Sequence, residues 1–288
     1  MDAPETTVKV ILSRKRAERI PYMLQCFPDA LVCVDEREVD DYSPVVPKEK
    51  LVLHPPTSSV VQVRNWMIDY FQEDCLFQLD DDFEKIQCYS NANIRDVTFI
   101  RDPSHISGII ANAHWPAFDL GIGVFCWARF GNPMQYQPFQ PMSLCGVPVM
   151  CAFGIRGEAR HRKFDESVPG MADLEFTLES YRDDRVIYCD CRYYWDFGKI
   201  YGGVGGNLGM VSGETRKNTV RVMRARWTKY LHIGNSRDAT SKGSKTRLNA
   251  DTQAISIRVQ RKSLQAVRSG FSAERQRSAS KLNGEART

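Results

Sequence analysis

Three consecutive aspartates, Asp80, Asp81 and Asp82, close the apolar run Leu76-Phe77-Gln78-Leu79 and are followed by Phe83 and Glu84. A short buried strand ending this way delivers carboxylates to the C-terminal edge of a sheet, where open α/β folds place their ligands. Adjacent like charges repel unless a cation intervenes. Mg²⁺ and Mn²⁺ favour oxygen donors, and Mg²⁺ commonly joins one or two carboxylates to substrate phosphates. The alternative for the same residues is an acidic turn capping a following helix, with Asp82 as the cap.

Further candidates lie at the ends of other predicted elements. A β-rich run, Val8 to Leu12, ends at Ser13-Arg14-Lys15-Arg16, a helix follows from Ala17 to about Cys26, and a second strand, Ala30 to Val34, ends at Asp35. No GxGxxG glycine fingerprint is present, which argues against a dinucleotide site of the usual kind. Ser13, Arg14 and Arg16 instead offer a hydroxyl and guanidinium groups to phosphates, and Asp35 an acceptor for a ribose or base. The alternatives are an exposed helix start and a turn cap. Arg64 and Asn65 fall on a helix over 58–70, where Arg64 either reaches the same phosphates or is an ordinary surface arginine. Residues 157–168 carry Glu158, Arg160, His161, Arg162, Lys163, Asp165 and Glu166, as expected of a loop facing substrate or of a solvated one. Asp173 is expected to cap a helix whose apolar face includes Phe176, Leu178 and Tyr181, with Glu175 pointing elsewhere.

The elements that must position these groups alternate as strand and helix, the order of an α/β fold. Helix is expected from Asp102-Pro103 to His114, short apolar runs at 120–127 and 146–154, and a proline- and glutamine-rich binding loop or lid at 132–141. A strand-like run spans 185–192 and leads into Tyr193-Tyr194-Trp195. Five glycines fall within 202–209; they form no P-loop but suit a backbone loop closing over a phosphate-bearing donor. Residues 220–231 interleave Arg221, Arg224, Arg226 and Lys229 with Trp227 and Tyr230, a basic element with stacking potential. Residues 235–249 read as a polar loop, 254–264 as a short helix, and 269–288 as disordered.

The charge is divided. Residues 1–211 hold 21 Lys and Arg against 30 Asp and Glu, a net of −9, whereas residues 212–288 hold 18 against 5, a net of +13. Such asymmetry points to a polyanionic partner. The nine cysteines form no CxxC pairs, as expected of free thiols in a reducing compartment. Neither a membrane-spanning apolar run nor a secretory segment is evident, so a cytoplasmic location without a membrane partner is expected.

Taken together, Ser13-Arg14-x-Arg16, the acidic Asp35, Arg64-Asn65 before the three aspartates, and Asp173-x-Glu175 resemble the nucleotide-sugar glycosyltransferases of the GT-A fold. The nearest branch is the one associated with DNA pyrimidine hydroxylases, found largely in bacteriophages. The resemblance covers residues 8 to 232. It implies an α/β, GT-A-like open mixed sheet with a nucleotide-binding N-terminal half, the GT-A-like catalytic domain spanning residues 1–232 and a basic, partly flexible C-terminal extension spanning residues 233–288. It also implies transfer of a sugar from a nucleotide sugar, a UDP-sugar above all, to a 5-hydroxymethylpyrimidine in DNA, in a host cytoplasm if phage-encoded. Asp80 and Asp82 match the family's DxD motif for Mn²⁺ or Mg²⁺, and His232 its late metal-binding histidine. Ser13, Arg14, Asp35 and Arg64 match the nucleotide-binding face, to which Arg16 and Asp81 are added. Asp173 matches the acidic residue near the acceptor. Where the family carries a Glu-Asp doublet this chain reads Asp173-x-Glu175, so the candidate bases are Asp173, Glu175 and His161. The rival readings are a GT-A enzyme acting on a glycan, lipid or protein, and a non-catalytic DNA-binding phage protein.

Overall fold

The structure, a computed structural model, describes residues 6–89, 97–129, 131–148, 151–168, 171–197, 213–227, 231–233 and 255–257. The chain divides into two compact units, Met1–Ala225 and Arg226–Thr288. In the first unit the order is β1 (Thr7–Leu12), α1 (Ile20–Cys26), β2 (Leu31–Asp35), α2 (Val39–Tyr42), β3 (Leu51–His54), α3 (Val60–Tyr70) and β4 (Cys75–Asp80). There follow β5 (Lys85–Cys88), β6 (Thr98–Ile100), α4 (Pro103–Asp119), β7 (Val124–Ala128), β8 (Met142–Ser143), β9 (Ala152–Arg156), α5 (Ala172–Asp183), β10 (Tyr188–Asp196) and α6 (Gly213–Arg226). In the second unit β11 (Leu231–Ile233) pairs antiparallel with β12 (Ile255–Ile257). The expected boundary at residue 232 falls inside β11.

One mixed sheet runs β3-β2-β1-β4-β9-β7-β10-β5-β6, with β8 beside β10. This is the expected α/β open mixed sheet. Strands β1 to β4, β7 and β10 share one direction, and β9 runs against β4 and β7. Strand order reverses between β1 and β4, whose crossovers leave in opposite directions, which makes their C-terminal ends the place where open α/β sheets hold ligands. Leu12 lies opposite Asp80 in that pair, which puts the Ser13–Arg16 loop beside the aspartates.

Burial explains the strand composition. The side chains of Val10, Ile11, Val32, Leu76, Phe77 and Phe153 are all shut from solvent, as expected where helices cover both faces of a sheet. An aromatic cluster sits under the aspartates: Trp195 lies 4.6 Å from Trp127 and 5.6 Å from Phe83, ring centre to ring centre. Gly154 in β9 is required by packing, since a Cβ there would lie 2.0 Å from Phe125 Cζ.

Several expectations are corrected. No helix follows Asp82; the chain enters β5, so the helix-capping alternative fails. Asp102 does cap α4, accepting the His105 N–H at 2.9 Å, but the helix runs through Pro116 to Asp119. Met171, not Asp173, occupies the cap of α5, with Asp173 in its first turn. Ile255–Ile257 form a strand where a helix was expected, because β-branched residues alternate there and pair with β11. The glycine run at 202–209 and the segments 235–249 and 269–288 lie outside the described residues. Among the described residues no helix is long and apolar enough to cross a membrane.

Candidate active site

Arg16, Asp81 and Ser13 form one hydrogen-bonded cluster at the C-terminal ends of β1 and β4. The loop after β1 turns back on itself with Lys15 at φ 55°, and the Lys15 N–H donates to Glu38 Oε2 at 2.7 Å. Ser13 Oγ donates to Asp81 Oδ2 at 2.6 Å and lies 2.7 Å from Tyr42 Oη. The Arg14 N–H reaches the same Asp81 oxygen at 3.4 Å. Arg16 Nη1 donates to Asp81 Oδ1 at 2.8 Å and to Asp82 Oδ2 at 3.1 Å. Asp81 is buried and fastens the loop to β4; burial raises its pKa against the pull of Ser13 and Arg16.

The flanking aspartates differ. Asp80 accepts Arg64 Nη2 at 2.7 Å, and Arg64 Nη1 donates to Gln78 Oε1 at 2.8 Å. Arg64 is itself buried, over the Phe153 ring, so it is not a surface arginine. Asp82 has one oxygen, Oδ1, buried with no protein partner. Burial, and then the charges of Asp80 and Asp81, raise its pKa from 3.8 to about 6 despite Arg16. Cys151, whose carbonyl accepts the Asp80 N–H at 2.8 Å, has its thiol pKa pushed well up, first by burial and then by the charges of Asp80 and Asp82.

At the end of β2, Asp35 is buried and accepts Arg37 at 2.8 Å (Nε), 2.5 Å (Nη2) and 3.0 Å (backbone N). The Arg37 side-chain bonds hold its pKa down, at about 2. Beside it opens a cleft of about 700 Å³ lined by Arg14, Lys15, Arg37, Glu38 and Tyr42 among others. Its lining stops short of Asp80 and Asp82.

Helix α5 runs back from the same edge and carries half-buried Asp173 in its first turn. Burial raises the Asp173 pKa, opposed by the Leu174 N–H and by the charges of Arg129 and Arg64. Arg129 sits at the bend just after β7. Glu175 is fully buried. His161 is not gathered with these groups: β9 ends with Arg156 opposite Cys75, so 157–161 emerge at the other edge of the sheet, about 16 Å of strand from Asp80. There Arg160, buried, donates to the carbonyls of Ile68, Phe71 and Glu73, so that charged cluster ties off the C-terminus of α3. His232 lies in β11 of the second unit.

Among the described residues no three His, Cys, Asp or Glu side chains gather closely enough to enclose an ion. The donor set nonetheless fits a Mg²⁺-like ion that keeps most of its shell for water and phosphate, since Asp82 Oδ1 is buried and unpartnered beside a second carboxylate. Sequence reasoning missed Tyr42, Arg37 and Arg129. Arg129 carried a usable signal, a charged residue directly after an apolar strand, like Arg14 and Asp80; Tyr42 and Arg37 carried none.

No protein-family model and no curated protein matches the chain. Similar solved structures are those of S. aureus TarS residues 1–349, alone and in complex with UDP, each at 12% identity and a TM-score of 0.41. The alignment covers 76% of this chain and 65% of the TarS chains, less than two thirds of their length.

Proposed function

We propose that this chain transfers a sugar from a nucleotide-sugar donor, a UDP-sugar, to a hydroxyl acceptor. The observation that carries the reading is Asp82: a carboxylate with a buried, unpartnered oxygen and a pKa of about 6, beside Asp80 at the switch point of an α/β sheet. Asp80 and Asp82 would hold Mn²⁺ or Mg²⁺, which when bound neutralises the departing diphosphate. Arg14 lines the approach of the phosphates, while Ser13, expected there too, is buried and spends its hydroxyl on Asp81; Arg64 keeps Asp80 aimed, and Asp35 meets the ribose or base once Arg37 yields it. Asp173, whose pKa is raised by burial, takes the proton from the attacking hydroxyl in a direct displacement. His161, at the opposite edge, has no part in this arrangement.

The acceptor we propose is 5-hydroxymethylpyrimidine DNA, supported by the +13 net charge of residues 212–288, which suits a phosphate backbone and makes binding fall steeply with salt. The test is release of UDP from a panel of UDP-sugars, with and without Mn²⁺, in the presence of hydroxymethylated or unmodified DNA. Metal-dependent release that is stimulated only by hydroxymethylated DNA, lost in Asp82→Ala and cut at least 100-fold in Asp173→Asn is expected. Release without DNA stimulation would move the acceptor to another class of hydroxyl. Absence of release with every donor would end the enzymatic reading.

A further inference from the structure

Arg16 stands where the carboxylate cluster demands a cation. One nitrogen, Nη1, serves both acceptors, at 2.8 Å to Asp81 and 3.1 Å to Asp82, and the side chain is 17% exposed. The two acceptors are unequal. Asp81 is buried and has Ser13 as a further donor, whereas Asp82 leaves its second oxygen unmatched. The longer bond can therefore be given up while the shorter one anchors the arginine. The backbone is fixed independently, since the Arg16 N–H donates to Tyr42 Oη at 3.1 Å and the Lys15 N–H to Glu38. Arg14 is placed differently, with its guanidinium 4.0 Å from Glu38.

The geometry points to Arg16 as an exchangeable counterion that couples metal binding to diphosphate binding. A divalent cation that engages Asp82 displaces the guanidinium from it. The released N–H groups turn to the donor's diphosphate, and the bond to Asp81 keeps the residue in place. Without an ion, the same guanidinium holds Asp81 and Asp82 together against their mutual repulsion. Linkage makes the effect reciprocal: diphosphate that captures Arg16 frees Asp82 for the ion, and the two affinities rise by the same factor. Arg16 is thus a positioning residue whose partner changes on ligand entry. This inference rests on the metal and nucleotide-sugar reading above.

The test is titration of the full chain with Mn²⁺ alone, following free Mn²⁺ by electron paramagnetic resonance, and again with saturating UDP. Arg16→Gln removes a unit charge that competes within roughly 4 Å and is expected to bind Mn²⁺ about tenfold more tightly without nucleotide. The enhancement of Mn²⁺ affinity by UDP should shrink by the same factor. Arg16→Lys keeps the competing charge and is expected to stay within about threefold of wild type. Arg16→Met serves in place of the glutamine variant should that one not fold. An Arg16→Gln or Arg16→Met affinity no tighter than wild type overturns the exchange, as does equal tightening in Arg16→Lys. The two readings fail separately: if Asp82→Asn abolishes Mn²⁺ binding while Arg16→Gln leaves it unchanged, only the exchange is wrong. If wild type binds no Mn²⁺ even with UDP, both fall.

Discussion

Removing the charge of Asp82 is expected to stabilise the protein and, on the proposed reading, to abolish Mn²⁺ binding. The carboxyl is shifted from 3.8 to about 6, so ionising it at neutral pH in the folded state is disfavoured by about 3 kcal/mol at most. Because the side chain is 36% exposed, solvent screening reduces this to about 1 kcal/mol. Asn preserves the shape and can still accept the Arg16 N–H. For a unit of this size, 1 kcal/mol moves the melting temperature by roughly 2–4 °C. Asp82→Asn should therefore melt about 3 °C above wild type at pH 7.5 in EDTA. The sign fixes the pH dependence. A carboxyl whose folded pKa is raised leaves stability intact below the unfolded value and erodes it as pH climbs through the folded one. The gap between the variant and wild type should thus be absent near pH 4, open between about 4 and 6, and stay level above. Saturating Mn²⁺ should raise the wild-type midpoint and leave that of the variant unmoved. A variant that melts lower than wild type at pH 7.5, or a gap that does not change with pH, would refute the reasoning that Asp82 is a frustrated carboxylate.

Gly154→Ala should cost at least about 3 kcal/mol by urea unfolding, because its Cβ would enter the closed Phe125 ring between two sheet neighbours. Arg64→Met should lose about 3 kcal/mol, since it strands Gln78 and leaves Asp80 without its guanidinium; wild-type stability in that variant would show the pair to be dispensable. Arg37→Gln should raise the Asp35 pKa from about 2 toward the ordinary carboxylate range, visible in carboxyl carbon NMR shifts. In wild type the stability from that pair is present above about pH 4 and drains away as pH falls toward 2.

The parts of the site that could be read from the chain are those where one local pattern suffices. An apolar run meeting a charged cluster marks a strand end, which located the Ser13–Arg16 loop, Asp35 and the three aspartates. What could not be read depends on direction and depth. A five-residue apolar run has no orientation, so nothing in Ala152–Arg156 announces that β9 runs backwards and carries His161 to the far edge. Three identical aspartates look equivalent as letters, yet Asp81 is a buried fastening, Asp80 is aimed by Arg64, and Asp82 is the one of the three with a buried oxygen left unmatched. Burial also changes the meaning of the arginines: Arg64 and Arg160 look like solvent-facing charges in the sequence but spend their N–H groups on Gln78 and Asp80 and on the carbonyls at the end of α3, respectively.

Adjacent residues on α3 reach in two directions. Arg64 holds Asp80, while Asn65 grips the backbone of Phe164 through both its amide nitrogen, at 2.9 Å, and its oxygen, at 2.8 Å. The Asn65 carbonyl also receives Lys163 at 2.8 Å. The gripped segment leads into α5, where Asp173 sits. Two neighbouring residues of one helical turn thereby hold the end of β4 and the segment after β9 at a fixed distance from each other. An insertion or deletion upstream of Arg64 within α3 would rotate both grips together, so a change in that helix would be felt at Asp80 and at Phe164 at once.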